Sequence, residues 1–290
     1  MDTDKRGRLY LCPTPIGNLG DITYRTVEIL KKADLIAAED TRNTLRLLNH
    51  LDIHTPLTSY HEHNKYKKAD ELISGMLSGK ITACVTDAGT PGISDPGEIL
   101  VKKAVEAGIE VISLPGPTAF VTALTASGLP ARRFRFEGFL PKEGKERRKT
   151  LDSLGSENET LILYESPHHL KGTLYDLVNV LGEGRRIAIC RELTKLHEEI
   201  LRLTLKEACS YYGDKEPRGE YVLVIEGRSE EETEAERKRE YEKMSIPEHV
   251  ALYEAEGADR KEAMKKAAKD RGISKREIYN ALIQRDGHMI

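Results

Sequence analysis

Several things are missing from this 290-residue sequence, and each absence narrows what it can be. There is no unbroken apolar run of the roughly eighteen residues a membrane-crossing helix needs, so no transmembrane span is expected. The amino terminus, MDTDKRGR, is charged and has no apolar segment behind it long enough for a secretory signal. Cysteine is sparse: Cys12, Cys84, Cys190 and Cys209 are scattered, no pair has CxxC spacing and no histidine cluster accompanies them. Neither zinc nor a disulfide framework is therefore expected, and no other metal. Reduced thiols suit a cytoplasmic chain. The net charge of −3, from 45 Lys and Arg against 48 Asp and Glu, decides nothing about nucleic acid, so any basic surface must be local. A Walker pattern and a true GxGxxG are also missing.

What is present begins with bulk. A hydrophobic content of 39% and a charged content of 32% describe a soluble globular chain with an ample core, long enough for two domains and a small appendage. The most informative stretch is VTDAGTPGISDPG, which ends at Gly97. A β-type run over 81–85 enters it and a helical pattern starting near Glu98 leaves it. Its glycines allow positive φ and close approach of a ligand to the main chain. Its prolines stiffen the path. A tight connection would use some of the same residues, but a loop this long and crowded, at the carboxyl end of a strand, is where open α/β sheets bind ligands.

Strands are expected at 8–12, 35–38, 56–62, 81–85 and 110–114. Helices fall between them at 23–32, 43–51, 64–77 and from Glu98 towards Gly108, with Asp21 as the cap of the first. This alternation predicts a parallel, doubly wound sheet, with a first domain over 1–117. The polar run Glu39-Asp40-Thr41-Arg42 follows the second strand, where active-site loops sit, although Asp40 or Thr41 could simply cap the next helix. His61 and His63 read as surface-loop residues.

The second half, 118–228, has strands at 134–139, 160–164, 186–190 and 220–226, with helices at 118–127 and 204–212. Polar clusters again follow strands: Glu165, Ser166 and His168 in one, and Arg191, Glu192, Thr194, Lys195 and His197 in another. Catalysis draws on side chains converging from several strand ends, and these are candidates. Between 131 and 149 lie eight Lys or Arg against three Glu, a local +5. That is either a solvated face with pairs such as Glu143 with Arg147 or a phosphate-contacting patch. An acid-rich stretch, 229–244, reads as linker or solvated helix. The tail, 245–290, is helical, with capping-box spacing at Ser245/Glu248 and Ser274/Glu277. Ala268, Gly272 and Ile278 have helix-turn-helix spacing, and 259–277 carries a local +4. Packing and nucleic-acid contact are both open for this face.

PTPIGNLGDIT, AEDTR, DAGTPGISDPG, PGPTA, EGFLP, YESPHHL, RELTK and PRGEYVLVIEG occur in this order over about three quarters of the chain. Together they closely resemble the ribosomal RNA small subunit methyltransferase I group of the tetrapyrrole methylase superfamily. The resemblance implies two α/β/α domains with S-adenosylmethionine bound between them and a small helical tail. It also implies methyl transfer to the ribose 2′-hydroxyl of a cytidine in 16S ribosomal RNA, within the 30S subunit, by a homodimer. By motif, the cofactor set would be Pro15; Asp87, Ala88, Gly89, Thr90 and Ile93 through the main chain; Ser94 and Asp95 as shapers of the loop; Pro115 and Thr118; and Tyr164 and Glu165. Asp87-Ala88-Gly89 stands where tetrapyrrole-acting relatives carry Gly-Asp-Pro, which argues against a porphyrinoid substrate. A relative acting on a tetrapyrrole or a protein, and a non-enzymatic nucleic-acid-binding protein, are the alternatives.

A hydroxyl nucleophile needs a proton acceptor during attack. The candidates are Glu39, Asp40, Glu165, Glu192 and a Lys195 of lowered pKa. The Glu39-Asp40-Thr41-Arg42 cluster is favoured for positioning, and Lys195 or Glu192 for the proton.

Overall fold

The computed structural model describes residues 6–286, so the first five residues of the charged amino terminus and the last four of the tail lie outside it. The chain forms two compact units, one running to Glu226 and the other starting at Gly227.

The first unit contains two five-stranded sheets. In the first sheet, β1 (Arg8–Leu11), β2 (Leu35–Ala38), β3 (Leu57–Ser59), β4 (Thr82–Val85) and β5 (Glu110–Ser113) are ordered β3-β2-β4-β1-β5, all parallel. Short apolar strands such as LIAA and TACV suit a sheet buried on both faces. Leu9, Leu11, Ala37 and Cys84 pack with Leu72, Met76 and Leu100 on one side. On the other, Tyr10, Cys12, Ile36 and Val85 pack with Leu30 and Leu48. The covering helices are α1 (Tyr24–Lys32), α2 (Thr41–His50), α3 (Lys65–Leu77) and α4 (Gly97–Glu106). Thr23, not Asp21, caps α1: its hydroxyl accepts from the Thr26 amide, while Asp21 closes a short 3-10 turn.

After β5, helix α5 (Ala119–Ser127) packs on the second sheet, with Ala123 and Leu124 against Ile162, Ala188 and Val224. That sheet joins β6 (Phe134–Phe139), β7 (Thr160–Glu165), β8 (Arg186–Arg191), β9 (Glu199–Thr204) and β10 (Tyr221–Ile225) in the order β6-β7-β10-β8-β9. Only β6 and β7 pair in parallel; β10 runs antiparallel between β7 and β8, and β9 is antiparallel to β8. Helices α6 (Gly144–Gly155), α7 (Leu170–Leu181) and α8 (Leu205–Gly213) cover its outer face. Strand β9 was not among the expected strands. It is an edge strand, half-exposed along most of its length, and its sequence EILRLT lacks the continuous apolar run of its neighbours.

The second unit is helical: α9 (Glu230–Lys243), α10 (Ile246–Ala255), α11 (Arg260–Arg271) and α12 (Lys275–Asp286). Val250, Ala263, Ala267, Ala268 and Ile278 form its core, and Gly272 turns the chain between α11 and α12 with φ 66°. The acid-rich stretch is not an open linker. Tyr241 of α9 stacks on buried His249 at 3.9 Å, and the Arg271 guanidinium donates to the Tyr241 and Met244 carbonyls and to His249 Nδ1. Among the described residues no helix is long and apolar enough to cross a membrane, and no group of His, Cys, Asp and Glu is placed to hold a metal ion.

Candidate active site

Because β1 and β4 are adjacent and parallel, the loops after them lie side by side. The Thr14 and Gly89 backbones exchange hydrogen bonds of 2.9 and 3.0 Å, and the Thr14 hydroxyl donates to the Thr86 carbonyl. Beyond Gly89 the loop is organised by Asp95, whose carboxylate accepts from the Gly92, Ile93 and Gly97 amides at 2.7–3.2 Å. Burial raises the Asp95 pKa, and those amides pull against the rise. Ser94 is held at φ 62°, a conformation that costs a residue with a side chain about 1–2 kcal/mol. Thr90 ties this loop to the next one by donating to the Pro117 carbonyl and meeting the Thr118 hydroxyl at 2.7 Å.

These loops form one wall of a cleft of about 590 Å³. Glu39, Thr86, Asp87 and the 88–95 loop line it from the first sheet; Tyr164, Glu165, Cys190, Glu192, Lys195 and Glu220 are among those lining it from the second. Glu39 accepts from the Thr86 hydroxyl at 2.6 Å. The Asp87 pKa is raised, first by burial and then by the neighbouring charges of Glu39 and Asp40. Opposite, Lys195 Nζ bridges Glu192 and Glu220 at 2.8 Å each. Burial lowers the Lys195 pKa, but its two carboxylate partners outweigh that and the net shift is upward. Burial likewise raises the Glu192 pKa, and Lys195 and the Glu220 amide reverse it to a net lowering. The expectation of a Lys195 of lowered pKa is thus overturned: the side chain is held as an ammonium. Glu165 is almost fully buried and turned into the protein, accepting from its neighbour's amide and from Thr173.

The cleft walls touch at two glycines. A Cβ on Gly17 would lie 2.4 Å from Lys195 Cγ and 2.9 Å from Thr194 Oγ1, so only glycine lets the loop after β1 reach the loop after β8. Gly138 sits in a β6 irregularity at φ 72°, and a Cβ there would lie 3.1 Å from Ser94 Oγ.

Not every candidate lies in the cleft. Asp40 and Arg42 do not line it: Asp40 caps α2 through the Arg42 amide and pairs with the Arg42 guanidinium at 2.7 Å. Those Arg42 hydrogen bonds lower the Asp40 pKa to about 2. Pro15 lines a separate cavity, and Pro115 lines neither. In the basic stretch Arg147 pairs with Asp176 rather than Glu143, and Arg135 with Glu137. Arg132, Arg133, Lys142, Lys145, Arg148 and Lys149 remain exposed. Glu220, Tyr221 and Val222 were not singled out as site residues. Their strand runs antiparallel to its neighbours, so its beginning, and not its end, faces the cleft. The motif PRGEY was the available signal.

Comparison with known proteins places this geometry in context. The family model for tetrapyrrole (corrin/porphyrin) methylases matches residues 8–209. "Ribosomal RNA small subunit methyltransferase I" of Halalkalibacterium halodurans is 52% identical over 277 residues, covering 96% of this chain and 95% of that protein. The proteins of the same name from Bacillus subtilis and Escherichia coli O157:H7 are 48% and 44% identical; the matches cover 95% and 98% of this chain and 94% and 97% of theirs. Among solved structures, a uroporphyrin-III C-methyltransferase from Thermus thermophilus complexed with S-adenosylhomocysteine shares the fold, with TM-score 0.54, 20% identity and coverage of 76% of this chain and 97% of that one. The methyltransferase CobJ matches with TM-score 0.58, 20% identity and coverage of 76% and 94%.

Proposed function

The chain belongs to the tetrapyrrole methylases and, within them, to the ribosomal RNA small subunit methyltransferase I family, and on that premise we propose that it 2′-O-methylates a cytidine ribose in 16S ribosomal RNA with S-adenosylmethionine as donor. The observation that carries the reading is the strained, amide-rich 87–95 loop facing a carboxylate-lined wall across one cleft.

S-adenosylmethionine supplies a methyl group on a sulfonium, a good leaving group. The residues present fit such a molecule: the volume lies in the range of small-molecule sites, Ile16, Ile93, Leu193 and Val222 give apolar lining, and the carboxylates suit a cation. The 87–95 backbone would hold it, shaped by Asp95, with Thr90 and Thr118 fixing the two loops together. The remaining catalytic task is alignment of the hydroxyl and acceptance of its proton. Lys195, already protonated, does not accept it; the ammonium positions Glu192 and Glu220. Asp87, which lines the cleft beside Glu39, accepts the proton; burial and the neighbouring charges of Glu39 and Asp40 raise its pKa.

RNA phosphates are drawn to the exposed cations of 132–149 and to the basic face of the tail. The substrate is small-subunit ribosomal RNA, which the names of the relatives support; we place it within the 30S subunit, with a homodimer as the active form and the cytoplasm as the site of action. The test is transfer of labelled methyl to 30S subunits and to naked RNA, with nuclease mapping of the product. Label on a cytidine ribose is expected. Label on a base or a protein, or none together with no S-adenosylhomocysteine binding by calorimetry, would overturn the reading.

A further inference from the structure

A second cavity, of about 410 Å³, lies behind the partition formed by Thr86 and Asp87, which line both it and the main cleft. Its other side is one face of α2, where Asn43, Leu47 and His50 recur at helical spacing with Arg46 beside them. Pro15 and Leu19 supply apolar surface from the loop after β1. The polar groups on the partition already have partners: Asp87 accepts from the Asp40 amide at 3.0 Å and from Asn43. Arg46 and His50 do not. Both are exposed, and among the described residues neither side chain carries a hydrogen bond or ion pair, although each residue lines the cavity.

We propose that this cavity takes the nucleotide next to the methylated one, its base against Pro15, Leu19 and Leu47 and its backbone phosphate against Arg46 and His50. The proposal rests on the RNA reading above. Three observations carry it. The cavity shares a wall with the main cleft, so one extended strand can place successive nucleotides in the two. Its size fits one nucleotide. Its free side chains, a guanidinium and an imidazole, are of the kinds on which splayed single-stranded bases stack and to which phosphates bind.

The experiment uses the full chain and the variants Arg46→Ala, His50→Ala and the double variant, with single-turnover methylation titrated against 30S subunits and S-adenosylhomocysteine affinity read by calorimetry. Both residues are exposed, so an unchanged melting curve is expected and keeps the comparison valid. The double variant should raise the half-saturating subunit concentration about tenfold or more, leave the saturated rate within about twofold, and leave S-adenosylhomocysteine binding unchanged. Arg46→Lys should recover part of the loss. Wild-type behaviour of the double variant would overturn the cavity's role while leaving the methyltransferase reading intact. A loss shared with S-adenosylhomocysteine binding would overturn it as well, by assigning the residues to the donor site. If the wild-type chain methylates no ribosomal RNA, the functional reading fails and this inference with it.

Discussion

Lys195 shows how far a single residue can be read in each direction. Its position after a strand was legible in RELTK, but its protonation was not, because Glu220, 25 residues further on, supplies half of its charge environment. Its pKa lies above the ordinary 10.5, so the stability it adds is fully present below 10.5 and fades as pH rises through the folded value. Glu192 lies below its ordinary 4.5, so its contribution is present above 4.5 and fades as pH falls. Between those limits Lys195 and Glu192 both stay charged and paired. Any rise of the methylation rate with pH inside that window therefore belongs to another group. Lys195→Met is expected to lower the single-turnover rate by about 10²-fold through misplacement while leaving the apparent pKa of the rate profile where it was. Disappearance of that limb in the variant would reinstate Lys195 as the base.

At the level of elements, most helices and strands were legible because apolar periodicity and caps are local. Asp40 capping α2 and the two tail capping boxes are examples. What was not legible depended on strand direction and on edges: β9, whose half-exposed residues give no clean pattern, and the start of β10, turned to the cleft by antiparallel pairing. Gly17 belongs to the same class, since its need for glycine comes from Lys195 and Thr194 across the cleft. Gly17→Ala is expected to destabilise the chain by about 1–3 kcal/mol in urea unfolding and to weaken S-adenosylhomocysteine binding. Gly172→Ala, in helix α7 with nothing within 4 Å of the added methyl, should instead stabilise by about 0.5–1 kcal/mol. Equal responses from the two variants would show that the cleft contact at Gly17 carries no strain.

For the whole molecule, the division at Glu226 separates two cores with different compositions: large branched side chains on two β-sheets before it, and a small alanine-rich helical core after it. The motifs that mark the donor site all fall before the boundary. A chain ending at Glu226 should therefore bind S-adenosylhomocysteine with the affinity of the full protein. Its RNA binding should be weaker, with a shallower dependence on salt as tail cations are lost. Filter binding at several salt concentrations reads the second expectation; an unchanged slope would assign the tail to packing alone.

Cys190 lines the cleft, yet its side chain is fully buried, and burial pushes its pKa up to about 12. A sulfonium methyl donor can alkylate a thiolate, so an enzyme of this kind carries a hazard within its own walls. At neutral pH Cys190 therefore stays a thiol, and the thiolate that would attack the donor's methyl group is scarcely populated. Intact-mass measurement after long incubation with S-adenosylmethionine alone should show no added methyl at Cys190. The low-dielectric packing that stabilises the second sheet also protects the enzyme from its own reagent.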